Sequence, residues 1–256
     1  MRPSSQLFRA HAADRAALSA ERAARNLLLQ LLPPDEYESL EGDLEQVALE
    51  LGTVLAEPGQ RPRHAYFPGT CVVSVVSASD GANGVEVGTI GNEGMVGISI
   101  FLDAAPAPDR TFVQVAGEAW RIPVDRFTDS AERLPGFQRL LRRYTHAYLV
   151  QVSQTAACNR LHDIEQRCAR WLLMTHDRVE RAPRFALTQE FLAIMLGVRR
   201  ASVSEAAGAL QARGLIEYSW GKIAVLDRAG LEAAACECYG VVRDHFARTF
   251  GLSVTA

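Results

Sequence analysis

Apolar positions change spacing three times along the chain. Leu27 to Leu32 form a short apolar run, followed by Pro33-Pro34 and the acidic Asp35-Glu36-Tyr37-Glu38. That order predicts one short helix ending and another beginning, with proline tolerated in its first turn. From Val47 to Val124 the runs shorten and alternate, as in Cys71 to Val76, Val85 to Ile90 and Phe112 to Val115. They are separated by Glu57-Pro58-Gly59, Phe67-Pro68-Gly69, Asp80-Gly81, Asn83-Gly84, Gly91-Asn92-Glu93-Gly94 and Gly117-Glu118. Turn signals roughly every ten residues predict an all-β sandwich or barrel. Helical spacing then takes over from Leu134 to Arg160, where Phe137, Leu140, Leu141, Tyr144, Tyr148, Val152 and Thr155 share one stripe. Such a stripe needs a partner, either the helix's own domain or a second copy of the chain. Its persistence beyond two turns favours a homodimer seam. Ile164 to Val179 predicts a further helix, and Gly230 to Phe250 reads as a single C-terminal helix.

The segment from Thr188 to Ala207 fits two short helices crossing at a tight turn. Leu192 and Leu196 form an apolar i, i+4 pair on the first, and Val203, Ala206 and Leu210 repeat the spacing on the second. Ala193 is small where two backbones approach, Gly197 suits a left-handed turn, and Val198 is apolar inside the angle. Arg199 and Arg200 open the second helix, where the helix dipole favours anions over cations, so their charge makes sense if phosphate sits there. A helical hairpin with two solvated arginines and a DNA-reading helix-turn-helix both fit these residues. The neighbouring C-terminal segment favours the DNA reader. After Arg213-Gly214, Leu215 to Tyr218 alternates like a strand, Ser219-Trp220-Gly221 reads as a turn, and Lys222 to Leu226 returns, completing a winged helix. Lys222, at the hairpin tip, is the only lysine in the chain.

Length and charge sharpen this picture. At 256 residues, 48% of them apolar, the chain is long enough for two domains. The expected division is a mobile N-terminal arm over 1–25, a β-rich domain over 26–132, a dimerisation helix over 133–160 and a winged-helix domain over 161–256. No apolar run reaches the roughly eighteen residues of a membrane span, and Met1 to Ala20 lacks a signal-peptide core, so a soluble cytoplasmic protein without a membrane partner is expected. The net charge of −3 argues against nucleic acid, but its distribution reverses that conclusion. Residues 133–228 hold 15 basic against 8 acidic side chains, and the remainder holds 12 against 22. A basic half suits a phosphate backbone, and an acidic half suits a regulatory domain.

The five cysteines, Cys71, Cys158, Cys168, Cys236 and Cys238, do not form a disulfide framework. Cys236-Glu237-Cys238 without nearby histidines is weak as a zinc site, and these cysteines read as structural or incidental, with no metal and no cofactor expected. Of the six histidines, His11, His64, His146, His162, His176 and His245, only His64 falls in the β segment. That inventory leaves a cupin-like enzyme, whose helices would serve assembly only, without a metal cluster or a nucleophile and base. A DNA-binding scaffold that does not activate transcription remains a third reading.

The element order, with Leu187-Thr188-Gln189-Glu190, Gly197-Val198-Arg199-Arg200-Ala201-Ser202-Val203 and Arg213-Gly214-Leu215-Ile216, resembles the cAMP receptor protein and fumarate/nitrate regulator (Crp/Fnr) family of bacterial transcription factors. Phe67-Pro68-Gly69 and Gly91-Asn92-Glu93-Gly94-Met95-Val96-Gly97 add weaker support, and the resemblance spans Asn26 to Tyr239. It implies an α+β fold: an N-terminal β-roll of the cyclic-nucleotide-binding type, a long dimerisation helix and a C-terminal winged helix-turn-helix. It also implies a homodimer on a pseudo-palindromic site with half-sites about one helical turn apart, DNA bending, and RNA polymerase as a further partner. Arg200 is the leading base reader, because a guanidinium can bond guanine O6 and N7 together. Arg199 is placed for phosphate or a neighbouring base, Ser202 and Ser204 for phosphate, Lys222 for the backbone at the wing, and Gln189 and Thr188 for contacts at the first helix. Ala201 and Glu205 depart from the cAMP-responsive members, which carry Glu and Arg there, so the target sequence should differ.

The candidate effector pocket consists of Gly97, Ile98, Ser99, Arg110 and Thr111. Family members that bind cAMP place a glycine-glutamate pair against the ribose and an arginine, a small hydroxyl residue and alanine against the phosphate. Here Ile98 replaces the carboxylate, and Phe112 follows Arg110-Thr111. Ribose hydroxyls left unpaired against Ile98 would cost about 1–3 kcal/mol each. The β domain therefore binds a small-molecule effector other than cAMP, or serves as scaffold alone. An iron–sulfur member would need an N-terminal cysteine cluster, and the first cysteine here is Cys71. Calorimetry of the full chain with cAMP should detect no binding in the micromolar range; micromolar or tighter affinity would contradict this reading.

Overall fold

The computed structural model describes residues 25–77, 84–104, 106–179 and 184–252. Most of the predicted N-terminal arm, the Asp80-Gly81 turn and Asn83 of the Asn83-Gly84 turn lie outside the described residues. Helices α1 (Leu27–Gln30) and α2 (Pro34–Glu41) lead into strands β1 (Glu45–Leu49), β2 (Val54–Ala56), β3 (His64–Pro68), β4 (Val72–Ser77) and β5 (Val85–Ile90). A one-turn helix α3 (Ile98–Phe101) precedes β6 (Arg110–Val115) and β7 (Gly117–Pro123). These strands form two antiparallel sheets, in the orders β1-β7-β3 and β2-β6-β4-β5, as the alternating segment predicts. Asn26 ties α1 to them. Its side chain caps Leu28 and Leu29 and donates to the carbonyls of Pro68 and Gly94, both at 2.9 Å. The Phe67-Pro68-Gly69 and Gly91-to-Gly94 turns are thus held by one buried amide.

Sequence texture did not predict α4 (Val124–Arg133), an amphipathic helix that buries Phe127 and Ala131. The long helix α5 (Pro135–Leu161) agrees with its prediction to one residue at each end. It has no cap of its own. Instead Glu36 on α2 accepts from the N–H groups of Gly136 and Phe137 at 2.8 and 2.7 Å, placing a carboxylate where the helix dipole favours one.

Five of the seven stripe residues, Phe137, Leu140, Leu141, Tyr144 and Thr155, are buried within this one chain, and Tyr148 and Val152 are half-buried. Tyr144 donates to the Met95 carbonyl at 3.0 Å, and its ring fills the space a side chain at Gly94 would need. The stripe has therefore found its partner inside the chain. The open face of α5 runs along Arg142, His146, Leu149, Ser153, Ala156 and Arg160.

Helix α6 (Ile164–Arg178), capped by Asp163, is buried over most of its length, and three of its polar side chains bond to the β domain. Trp171 donates to Glu86 at 3.0 Å, and Thr175 accepts from Gln114 at 3.3 Å. Arg178 pairs with Glu93 at 2.7 Å and donates to Gln151 on α5 at 3.3 Å. The Arg178 side chain crosses Gly91 where any Cβ would collide with it, which explains a glycine at that position. Glu86 also accepts from Ser74 at 2.7 Å and Thr89 at 2.5 Å. Burial pushes its carboxyl above the ordinary carboxylate range, opposed by these donors.

Strand β8 (Phe185–Ala186), helices α7 (Gln189–Leu196) and α8 (Arg200–Ala212), and strands β9 (Ile216–Ser219) and β10 (Lys222–Val225) complete the winged unit. The sequence reading lacked β8, which pairs with β10 as the outer strand of a sheet ordered β8-β10-β9. The predicted single C-terminal helix is corrected to two, α9 (Arg228–Ala234) and α10 (Cys238–Phe250), separated where Ala235 is extended. In an unbroken helix, residues two apart point about 200° away from each other. The break allows Cys236 and Cys238 both to be buried. It also corrects the reading of that pair as lacking a histidine, since His162 Nδ1 lies 3.5 Å from Cys238 Sγ. Among the described residues no helix is long and apolar enough to cross a membrane.

Because Glu86 titrates at a raised pKa in the folded chain, folding favours its protonated form. That contribution is full below the unfolded-state pKa and is lost as pH rises through the raised value. Thermal stability should therefore decline over that interval, and Glu86→Gln should flatten the decline. Superimposable pH profiles for the two proteins would contradict the assignment.

Candidate nucleic-acid interface

The turn between α7 and α8 is built by local chemistry. Thr188 adopts extended backbone and its hydroxyl accepts from the Phe191 N–H at 3.1 Å, capping α7. Gly197 ends the helix at φ 62° and ψ 39°, and a Cβ there would sit 3.0 Å from a Val85 methyl. Glycine is thus required both by the left-handed turn and by the close approach of β5. Phe191 meets Phe112 edge to face at 6.0 Å, so α7 is docked on the second sheet of the β domain.

Helix α8 buries Val203, Ala206, Ala207 and Leu210 and turns Arg200, Ala201, Glu205, Gly208 and Gln211 outward. Its N-terminus has no side-chain cap and no acidic residue in the first turn. Unpaired N–H groups beside two arginines form an anion-binding end. Ser204 donates to Gln189 at 2.8 Å and to the Arg200 carbonyl at 3.2 Å, so two of the predicted contact residues hold the two helices together. Ser202 is half-buried, while Thr188, Arg199, Arg200 and Lys222 are exposed. Among the described residues Arg199, Arg200 and Lys222 enter no ion pair, whereas Arg213 is engaged by Glu165 at 2.7 Å.

The wing adds a residue that the sequence reading treated only as part of a turn. Ser219 pairs with Lys222 across the two-residue turn Trp220-Gly221, whose φ values are 53° and 70°. Asn or Gly normally occupies such a turn, and a tryptophan there is strained. Trp220 is also 96% exposed, beside Lys222. A large aromatic at a hairpin tip where glycine or asparagine is expected was the available signal. Strain and exposure together make Trp220 a candidate contact residue. The wing itself is anchored, since Tyr218 donates through its hydroxyl to the Leu187 carbonyl at 3.0 Å and its N–H bonds Gln211 at 2.8 Å.

The predicted effector residues do not converge on one cavity. Gly97, at φ 117°, precedes α3, and Ile98 packs against the main core. Thr111 is buried in β6, while Arg110 is exposed, pairs with Glu57 at 3.5 Å and lies over the Phe112 ring. A cavity of about 560 Å³ does open between the second sheet and α7, with Val76, Arg110, Phe112, Gln114, Phe191 and Met195 among its walls. Of the five predicted residues only Arg110 borders it. Residues next to each other on a strand face opposite sides, so Arg110 and Thr111 could not both line one pocket from a regular strand.

The sequence profile of the Crp-like helix-turn-helix domain matches residues 166–234, which run from α6 to the end of α9. No curated protein matches the chain in sequence. Its fold is that of solved Crp/Fnr structures. A transcriptional regulator of that family from Eubacterium rectale superposes with a TM-score of 0.62 at 16% identity, covering 79% of this chain and 94% of the other. FixK2 from Bradyrhizobium japonicum gives 0.62 at 14% identity, covering 75% and 98%. The c-di-GMP-responsive global regulator CLP from Xanthomonas campestris gives 0.60 at 16% identity, covering 75% and 99%.

Alanine at position 197 would retain the turn's length but strain its left-handed backbone and press on Val85. Gly197→Ala should destabilise the chain by about 1 kcal/mol or more in denaturant unfolding. An unchanged midpoint would show that neither constraint operates.

Proposed function

We propose that the chain is a Crp/Fnr-family transcription regulator that binds DNA through its Crp-like helix-turn-helix domain and works as a homodimer on a pseudo-palindromic operator. The Crp-like helix-turn-helix match over residues 166–234 supports a DNA reader over a cupin-like enzyme whose helices serve assembly only. The observation that carries the proposal is the outward face of α8: Arg200 at an uncapped helix start, flanked by the small Ala201 and Gly208, with Lys222 and Trp220 exposed on the adjoining wing. Small residues allow the helix to sit deep in the major groove, and Arg200 reads guanine there. Arg199, Lys222 and the Thr188 end of α7 hold phosphates, Ser202 adds a hydroxyl, and Gln189 and Ser204 fix the angle between the helices. Trp220 lays an apolar face along the sugar–phosphate backbone or into the minor groove.

The dimer seam in this proposal follows the open face of α5, centred on Leu149, which is 57% exposed, with Ser153 and Ala156 small enough for close helix approach. Tyr148 and Val152 border it. The buried Leu140, Leu141, Tyr144 and Thr155 support the helix from within. The division into 26–132, 133–160 and 161–256 serves a sensor, a dimer helix and a reader, acting in the cytoplasm with RNA polymerase as partner. An effector other than cAMP would occupy the cavity under α7, where Phe112, Phe191 and Met195 favour an apolar body and Arg110 an anionic group. A ligand there would bear directly on the first helix of the DNA reader.

Gel-shift titrations should separate the two kinds of contact. Arg200→Ala should cost about 1–3 kcal/mol at the operator and lose preference for it over unrelated DNA, whereas Lys222→Ala should weaken all sequences alike. Equal affinity for both variants and the parent would defeat the proposal. Leu149→Glu should shift the sedimentation mass at micromolar concentration from dimer to monomer; an unaltered dimer would place the seam elsewhere.

A further inference from the structure

The fold gathers four side chains that the DNA-reading surface does not use. Cys158 lies in the last turn of α5, His162 is the C-cap of that helix, Cys236 lies in the break between α9 and α10, and Cys238 opens α10. Cys158 Sγ is 3.4 Å from Cys236 Sγ, Cys238 Sγ is 3.5 Å from His162 Nδ1, and the four donor atoms all lie within 4.8 Å of one another. Tetrahedral zinc, with bonds of about 2.3 Å to sulfur and about 2.0 Å to nitrogen, sets its ligand atoms about 3.5–3.8 Å apart. Iron–sulfur clusters spread their cysteines over several metal atoms, so the approaches of 3.4 and 3.5 Å match a single ion, about which the remaining donors, within 4.8 Å, would draw in. The surroundings suit ligation as well. His162 Nε2 lies 3.2 Å from a Glu237 carboxylate oxygen, which leaves the Nδ1 lone pair directed at the cluster. Gln154 donates to Cys238 Sγ at 3.1 Å.

Charge gives an independent argument. Arg167 and Arg170 on α6 are 9% and 4% exposed, and the Nε of each lacks a hydrogen-bond partner. Among the described residues neither forms an ion pair with a carboxylate, and the only carboxyl group acting on Arg170 is that of the buried Glu86, which already accepts from Ser74, Thr89 and Trp171. Buried guanidinium groups need a counter-charge. Three thiolates and a neutral imidazole around a divalent cation leave one net negative charge at this place.

We propose that Cys158, His162, Cys236 and Cys238 bind one zinc ion that clasps the link between α9 and α10 to the end of α5. Binding forms three Zn–S bonds and one Zn–N bond and releases the three thiol protons to solvent, with no change in oxidation state. The site accounts for the interrupted C-terminal helix, which turns both cysteines of the Cys236-Glu237-Cys238 segment inward. It also sits where α5 passes to α6, since Asp163, the cap of α6, directly follows His162. Zinc therefore fastens α10 across α5 beside the joint that carries the DNA reader.

The full chain, purified under reducing conditions, should contain about one zinc per chain by elemental analysis. Cobalt(II) replacing the zinc should give the visible bands of a tetrahedral site together with sulfur-to-cobalt charge-transfer absorption, a readout that requires no variant. Cys236→Ser/Cys238→Ser should lose the ion, and Cys71→Ser, outside the cluster, should retain it. A folded chain whose three thiols react freely and which takes up neither metal would overturn the proposal, as would an iron–sulfur chromophore or a Cys158–Cys236 disulfide under these conditions. Zinc retained at full occupancy by the double variant would overturn it equally.

Discussion

The joint between reader and β domain depends on buried hydrogen bonds from one helix. Trp171, Thr175 and Arg178 on α6 are each removed from water, and their partners Glu86, Gln114 and Glu93 lie in the β domain. Buried polar groups tolerate little displacement, because an unpaired donor or charge in the interior costs more than a paired one contributes. This network consequently fixes where the winged unit sits, more narrowly than apolar contact would. The packing of α7 on the second sheet, through Phe191 on Phe112 and Gly197 on Val85, follows from that placement.

Local features were the legible ones. The cap at Thr188, the left-handed Gly197 and the spacing from Leu192 to Leu210 involve residues a few positions apart, so propensity and periodicity carried the helix-turn-helix and its wing. Periodicity also located α5, but it reports only that a face is covered. For Leu140, Leu141 and Tyr144 the cover is the chain's own β domain, and the turn glycines Gly91 and Gly94 make room for Arg178 and Tyr144. A glycine in a β turn reads as backbone freedom until the side chain that crosses it is known.

Long-range juxtapositions escaped for the same reason. Glu36 caps α5 through the N–H of Gly136, 100 positions away, and His162 meets Cys238 across 76 positions. In sequence the two cysteines near the C-terminus looked incidental, and the histidine belonged to a scattered set. The candidate effector site suffered differently. Its residues were carried from relatives by register, whereas strand alternation turns Arg110 outward and Thr111 inward, leaving Arg110 alone beside the cavity.

The cavity and the zinc-binding cluster lie on opposite flanks of the joint's function: one touches the first helix of the reader, and the other fastens the C-terminal helix to α5. Both matter only if the outward face of α8 reads DNA as half of a symmetric pair. Selection of bound fragments from random duplexes by the 256-residue chain tests that claim most directly. The account predicts enrichment of two inverted half-sites about one helical turn apart. Enrichment of a single asymmetric motif, or recovery of no motif above background, would contradict it.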